Sequence, residues 1–138
     1  MAASDRTAAK KTAHRWFSKY IRLRDCIATT GTTERARCIT CGEIKDFKKC
    51  DCGHYVPGRS DSVLFDEHNA HAQCNSCNRW RQGMFIEYEI ALVTKYGADE
   101  VERLKSLKFR PFKYSLAELN WQASNYRLAY KQLLEDNK

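Results

Sequence analysis

Four of the seven cysteines fall into two Cys-x-x-Cys knuckles, Cys38-Ile-Thr-Cys41 and Cys74-Asn-Ser-Cys77. The tight turn of a knuckle brings both sulfurs to one side, so two knuckles can close four thiolates around one ion. Zn²⁺ suits that set, and a filled tetrahedral shell makes it a structural staple with no position left for substrate. Cys26, Cys50 and Cys52 remain over and read as buried or idle thiols. Cys50 and Cys52 lie between the knuckles and could compete as ligands, but their one-residue spacing lacks the knuckle turn. An odd number of cysteines does not suit a disulfide framework, and a reducing compartment makes metal the better reading.

Around the knuckles stand residues of the types that phosphodiester hydrolysis needs. Asp51-Cys52-Gly53-His54-Tyr55 lies between them, Asn69-Ala70-His71-Ala72-Gln73 leads into the second, Asn78 follows it without a gap, and Arg81 comes three residues later. This order resembles the HNH or ββα-metal nucleases, in which a hairpin and one helix wrap around a divalent cation. His54 is then the general base, suited by an ordinary pKa near 6.5 to take a proton from water at neutral pH. Asp51 and Asn78 offer oxygen ligands to a catalytic Mg²⁺ or Mn²⁺. Asn69, or a backbone carbonyl, would hold the base in one tautomer. Other readings stay open: Asn78 could cap a helix, Asn69 a turn, and Asp66 or Glu67 could replace Asp51. His71 could reach phosphate or make a structural hydrogen bond, Trp80 reads as packing, and His14 and His68 carry no pattern. An ordinary strand sends Asp51 and His54 to opposite faces, so their cooperation requires a bend or bulge, for which Gly53 is the candidate.

The elements that must position these residues are short of apolar material. The chain has 138 residues, 43% hydrophobic and 30% charged, with a formal charge of +7. That bounds it to one domain with arms, and no stretch approaches the ~20 apolar residues of a membrane span. Without an apolar leader the expected compartment is the cytoplasm. Residues 1–11 read as a disordered basic tail and 12–138 as a single domain. Within it, 12–28 forms a helix with Trp16, Phe17, Tyr20 and Leu23 or Ile27 on one face, 37–83 is the Cys-, His- and Asn-rich core, and 85–138 is helical. Phe85 to Tyr96 is stopped by Gly97, and Asp99 to Leu107 follows. Ser115 with Glu118 forms a capping box that opens a last helix to about Glu135. The expected class is α+β: a small zinc-stapled ββα-metal core flanked by N- and C-terminal helices. The basic excess sits in the first 49 residues, where Arg15, Lys19, Arg22 and Arg24 offer either phosphate contacts or a solvated helix face. Arg79 and Arg81 add to it beyond the second knuckle.

Taken together, Cys38-Ile-Thr-Cys41-Gly42, Asp51-x-Gly53-His54-Tyr55, Leu64-Phe65 and Asn69-x-His71-x-Gln73-Cys74-x-x-Cys77-Asn78 resemble the phage NinG (Rap) recombination-protein family. The likeness covers most of the chain. It implies a phage-encoded, structure-specific endonuclease that cuts D-loops and Holliday junctions. The arrangement is also similar to phage endonuclease VII, by which analogy Asp51 and Asn78 are the metal ligands and His54 the base. Arg15, Lys19, Arg22, His71, Arg79 and Arg81 are the expected DNA contacts, mainly to the backbone, with recognition by branch shape rather than sequence. Cutting opposing strands suggests a homodimer, and a recombinase or strand-annealing protein is the expected protein partner. Two alternatives stand beside this: a non-catalytic zinc-stapled DNA-binding or adaptor module, and an HNH nuclease for nicking or restriction.

Overall fold

A computed structural model describes residues 2–57 and 60–138. Its elements are α1 (Ala2–Thr30), β1 (Arg35–Arg37), β2 (Ile44–Asp46), β3 (Cys50–His54), α2 (Asp61–Leu64), β4 (Ala70–Cys74), α3 (Phe85–Tyr96), α4 (Ala98–Leu107) and α5 (Leu116–Asp136). The class is α+β. Two separate antiparallel pairs, β1–β2 and β3–β4, make up the sheet content of the described residues.

The first helix begins earlier than its apolar pattern suggests. Residues expected as a tail are helical from Ala2, because Arg6 and Lys10 both reach the carboxylate of Asp61 at the start of α2. Arg6 also donates from Nε to the carbonyl of Tyr114 at 2.9 Å. A local sequence window contains neither partner. Farther along, Ala13, Phe17 and Ile21 recur every fourth residue and meet Leu119 and Tyr126 of α5, with Leu64, Phe65 and Ala70 completing the cluster. Phe17 meets Tyr126 edge-on at 4.9 Å between centroids. The opening of α5 is a full capping box in which Ser115 and Glu118 satisfy each other's backbone N–H groups.

The β3–β4 pair lies between α1 and α3, and side-chain alternation assigns its faces. Asp51 opposes Gln73 and Gly53 opposes His71, while Cys52 opposes Ala72 and His54 opposes Ala70. The face carrying Cys52, Ala70 and Ala72 packs towards α1. Gly53 and His71 face the tyrosines of α3: the Tyr88 hydroxyl donates to the Gly53 carbonyl at 2.7 Å. Gly53 is required by close approach, since a Cβ there would stand 2.1 Å from Oε1 of Gln73.

Polar ties fix α1 to the same pair. Asp25 Oδ2 accepts the N–H of Ala72 at 2.7 Å, and Arg24 donates to the carbonyls of Glu67 and Ala70, each at 2.8 Å. Arg24 therefore serves the fold, and is turned inward rather than towards a polyanion. A second core joins Tyr55, Val56 and Val63 to Tyr88 and Leu92 of α3 and to Val101 and Leu104 of α4. Gly97, at φ 94°, ends α3 in a conformation that favours glycine. Among the described residues no helix is long and apolar enough to cross a membrane.

Candidate functional site

The knuckles meet as their spacing requires. The Sγ atoms of Cys38, Cys41, Cys74 and Cys77 all lie within 4.8 Å of one another, and those of Cys41 and Cys74 are 3.8 Å apart. Zn–S bonds of ~2.3 Å in a tetrahedron put the sulfurs ~3.8 Å apart, so the four residues fit a zinc ion. Backbone donors are in place for thiolates: the N–H of Cys74 points to Cys38 Sγ at 3.2 Å and that of Cys77 to Cys74 Sγ at 3.5 Å. Burial opposes ionisation of Cys38, but N–H donors of Cys41, Cys74 and Thr40 and the Thr40 hydroxyl outweigh it and bring the thiol to about 6. Cys26 and Cys50 form a separate buried cluster with Ala36 and Ala72. Burial pushes their thiols up, to about 11 and about 12.

The residues of the expected catalytic centre divide between the two faces of β3. Five consecutive pairs run from Cys50 to His54 without a bulge, so the bend needed to bring Asp51 and His54 together is not there. Asp51 is engaged on its own face. Its two oxygens take Arg79 in bidentate fashion, at 2.8 and 2.7 Å, and Oδ2 also accepts the Asn78 amide at 2.9 Å. The Asn75 amide nitrogen, turned towards it, reaches Oδ1 at 3.1 Å. Asp51 and Asn78 thus meet, but around a guanidinium rather than in a vacant oxygen cradle. In this geometry Arg79 fills the place beside Asp51, and a divalent cation there would have to displace it. Asn78 also does not open a helix: Ser76–Trp80 is a five-residue π-helical turn with Asn78 in its middle.

His54 faces α1. Its Nε2 lies 3.1 Å from the carbonyl oxygen of Leu64. A carbonyl only accepts, so Nε2 carries the proton and Nδ1 is left with the free lone pair. Burial lowers the pKa of His54, partly offset by that carbonyl, so the ring is neutral at pH 7. The tautomer is thereby held by Leu64, and not by Asn69. Asn69 is fully buried and bonds the backbone of Val56 in both directions, at 2.8 Å each. That pair of bonds makes Asn69 a clip on the turn after β3.

Beside His54 opens a cavity of 630 Å³ whose described walls include Lys10, Lys11, His14, Arg15 and Pro57. His14 stacks on His54, with ring centroids 5.4 Å apart. Burial first, then the charges of His54, Arg22 and Lys10, lower His14 to about 4. Sequence reading misses His14, because nothing in the spacing of a histidine on α1 announces a contact with β3. The cavity holds none of Asp51, Asn78 or Asn69.

The expected DNA contacts fare unevenly. Arg15 and Arg81 are exposed, and Arg15 stands at the cavity rim. Lys19 lies over the ring of Trp16 at 4.9 Å and Arg22 over Phe47 at 4.3 Å, so both are held against the protein while half-exposed. Arg79 is committed to Asp51. His71 is a correction: it is 1% exposed and bonds Tyr88 and Tyr96 at 3.2 and 2.9 Å. No phosphate reaches it there.

The family model described as the bacteriophage lambda NinG protein matches residues 1–136. The chain belongs to the NinG family. The protein ninG of Escherichia phage lambda is 26% identical over 133 residues, which are 94% of this chain and 64% of the relative. That of Escherichia phage 933W is 29% identical over 106 residues, covering 74% and 52%, and that of Salmonella phage P22 gives the same figures. This NinG chain thus spans about half to two thirds of the length of these relatives. No solved structure matches it. The knuckles, Gly53-His54 and Asn69 through Asn78 all fall within the stretch matched by the NinG family model.

Proposed function

We propose that this NinG chain is an endonuclease acting in the cytoplasm of a phage-infected cell on branched recombination intermediates, D-loops and Holliday junctions, with His54 as its general base. One observation carries the reading: a neutral imidazole, its Nε2–H tied to a backbone carbonyl, lines a cavity walled by Lys10, Lys11 and Arg15. Cations at the wall would draw in a phosphodiester by its charge, and a neutral ring with one free lone pair can take a proton from water. Proton transfer of this kind contributes about 10²–10⁴-fold. Asp51 and Asn78 are given no step in this reading, because Asp51 is paired with Arg79.

A second reading, a zinc-stapled module that binds branched DNA without cutting it, draws support from that same Arg79–Asp51 pair. Both readings are tested with a four-way junction and linear duplex in Mg²⁺ or Mn²⁺, comparing the unaltered chain with His54→Ala and His54→Gln. The expected result is cutting of the junction in preference to the duplex, reduced by about 10²-fold or more in both variants, with junction binding kept. Intact junction in every lane, with binding unchanged, selects the module.

A further inference from the structure

Between α4 and α5 the chain runs Lys108-Phe109-Arg110-Pro111-Phe112-Lys113 without helix or strand and without an acidic residue. All six residues are exposed. Phe109 is 77% and Phe112 49% exposed, although a turn of this size could fold either ring inward. A lone exposed phenylalanine carries no meaning, but two rings alternating with three cations make a surface of a particular chemistry.

The segment is held at both ends. The N–H groups of Phe109 and Arg110 bond the carbonyls of Ser106 and Leu107, at 3.2 and 3.1 Å, continuing the last turn of α4. Beyond Lys113, the Tyr114 N–H donates to Asp61 at 2.9 Å while its carbonyl takes Arg6. Pro111 fixes one backbone angle between the two rings. The rings thus stand on a braced turn.

Two cavities connect this turn to the rest of the molecule. One, of 700 Å³, is lined by Lys108 to Lys113 together with Arg6 of α1 and its partner Asp61. The other, of 370 Å³, is lined by Phe109, Lys108 and Pro57 among others, and Pro57 is also a wall of the cavity beside His54. The cavity beside His54 and the cavity beside Phe109 thus share Pro57 as a wall.

We propose that this turn binds single-stranded DNA, the unpaired arm of a branched substrate, with bases stacked on Phe109 and Phe112 and phosphates against Lys108, Arg110 and Lys113. Stacking on aromatic rings between backbone-tracking cations is the chemistry that captures single strands without regard to sequence. A membrane surface also suits basic and aromatic residues, but the Pro57 wall shared with the His54 cavity favours a polyanion that extends to both places. The site deepens the endonuclease reading by naming the strand that is held, and it rests on that reading for its purpose.

The test is equilibrium binding of fluorescein-labelled oligothymidylate and of a blunt duplex, in chelator-free buffer without added divalent ions. It uses the full chain, Phe109→Leu, Phe109→Trp and the double variant Phe109→Leu/Phe112→Leu. Single-strand affinity is expected to fall at least about fivefold for each ring lost and about thirtyfold for both, with duplex affinity held within about twofold and Phe109→Trp restoring the loss. Equal losses on single strand and duplex, or full affinity in the double variant, overturn the proposal. So does binding of phosphatidylserine vesicles that falls with the same substitutions while oligothymidylate binding does not. The His54→Ala chain, assayed alongside, is expected to keep its single-strand affinity. Absence of cutting with single-strand binding intact therefore removes the endonuclease and leaves this site.

Discussion

His14 of α1 and His54 of β3 stack with their ring planes 26° apart, each imidazole covering the other inside a wall of cations. Two protonated rings in that position would repel each other and the lysines beside them. The pair is stable only while neutral, and this gives the molecule a pH dependence with a definite sign.

Both rings titrate below their ordinary value of 6.5, His14 at about 4. In the window from pH 6.5 down to about 4 the unfolded chain binds more protons than the folded one, so stability present at neutral pH is lost as pH falls. For His14 alone the loss is on the order of 3 kcal/mol. Urea melts at pH 7 and pH 4.5 are expected to differ more for the unaltered chain than for His14→Phe, which keeps a stacking ring but removes the proton site. Equal differences would show that His14 titrates normally.

If His54 accepts the proton, junction cutting is expected to stay level from pH 7.5 to below 6.5, because burial keeps the ring neutral there. His14→Ala uncovers His54 and lets its pKa return towards the ordinary value, so its cutting should begin to fall at a higher pH than in the unaltered chain. A fall in rate centred at or above pH 6.5 in the unaltered chain would contradict the buried neutral base.

The Asp51–Arg79 pair separates two roles by substitution. As a surface ion pair with Arg79 largely in water, it is expected to cost little stability when Asp51→Asn breaks it. Cutting should be unaffected in Asp51→Asn and in Arg79→Ala. Abolition of cutting by Asp51→Asn, with the melting temperature unchanged, would instead make Asp51 a metal ligand in the substrate-bound state.

Removal of zinc should act on the fold. Cys74→Ser is expected to lower zinc content by atomic emission from one per chain to near none and to cost roughly 3–5 kcal/mol, as loss of a structural metal does. Retention of a full equivalent of zinc in this variant would show that another donor completes the shell.

Gly53→Ala probes the close approach behind His54. Its Cβ would meet Gln73 at 2.1 Å from Oε1 and 2.9 Å from Cβ, so the strands must part or Gln73 must turn. Gln73 is pinned by its amide to the Gly83 carbonyl at 2.8 Å. A cost of about 1–3 kcal/mol is expected in a thermal melt, and a cost near zero would mean that Gln73 is free to move.

Local signals carried much of the helical part. Phe85 to Tyr96 is helical as its pattern and Gly97 indicate, and the Ser115–Glu118 box stands where α5 opens. The knuckles were legible because Cys-x-x-Cys is a statement about one turn. What the sequence could not display is contact across elements. Nothing near Arg6 or Lys10 names Asp61, nothing near His71 names the two tyrosines that bury it, and His14 meets His54 only once α1 lies along β3. The expected partnership of Asp51 with His54 failed for a local reason: a regular strand alternates its faces, and Gly53 accommodates Gln73 instead of bending the chain.

Helices α1 and α3 pack against opposite faces of the β3–β4 ribbon and leave its two tips as distinct places. One tip is already claimed by sulfur at Cys74, and the other presents His54. If the proposed endonuclease reading holds, the scissile bond would be met at that corner of the molecule, which suits a branch point, whose strands diverge, better than the side of an unbroken duplex.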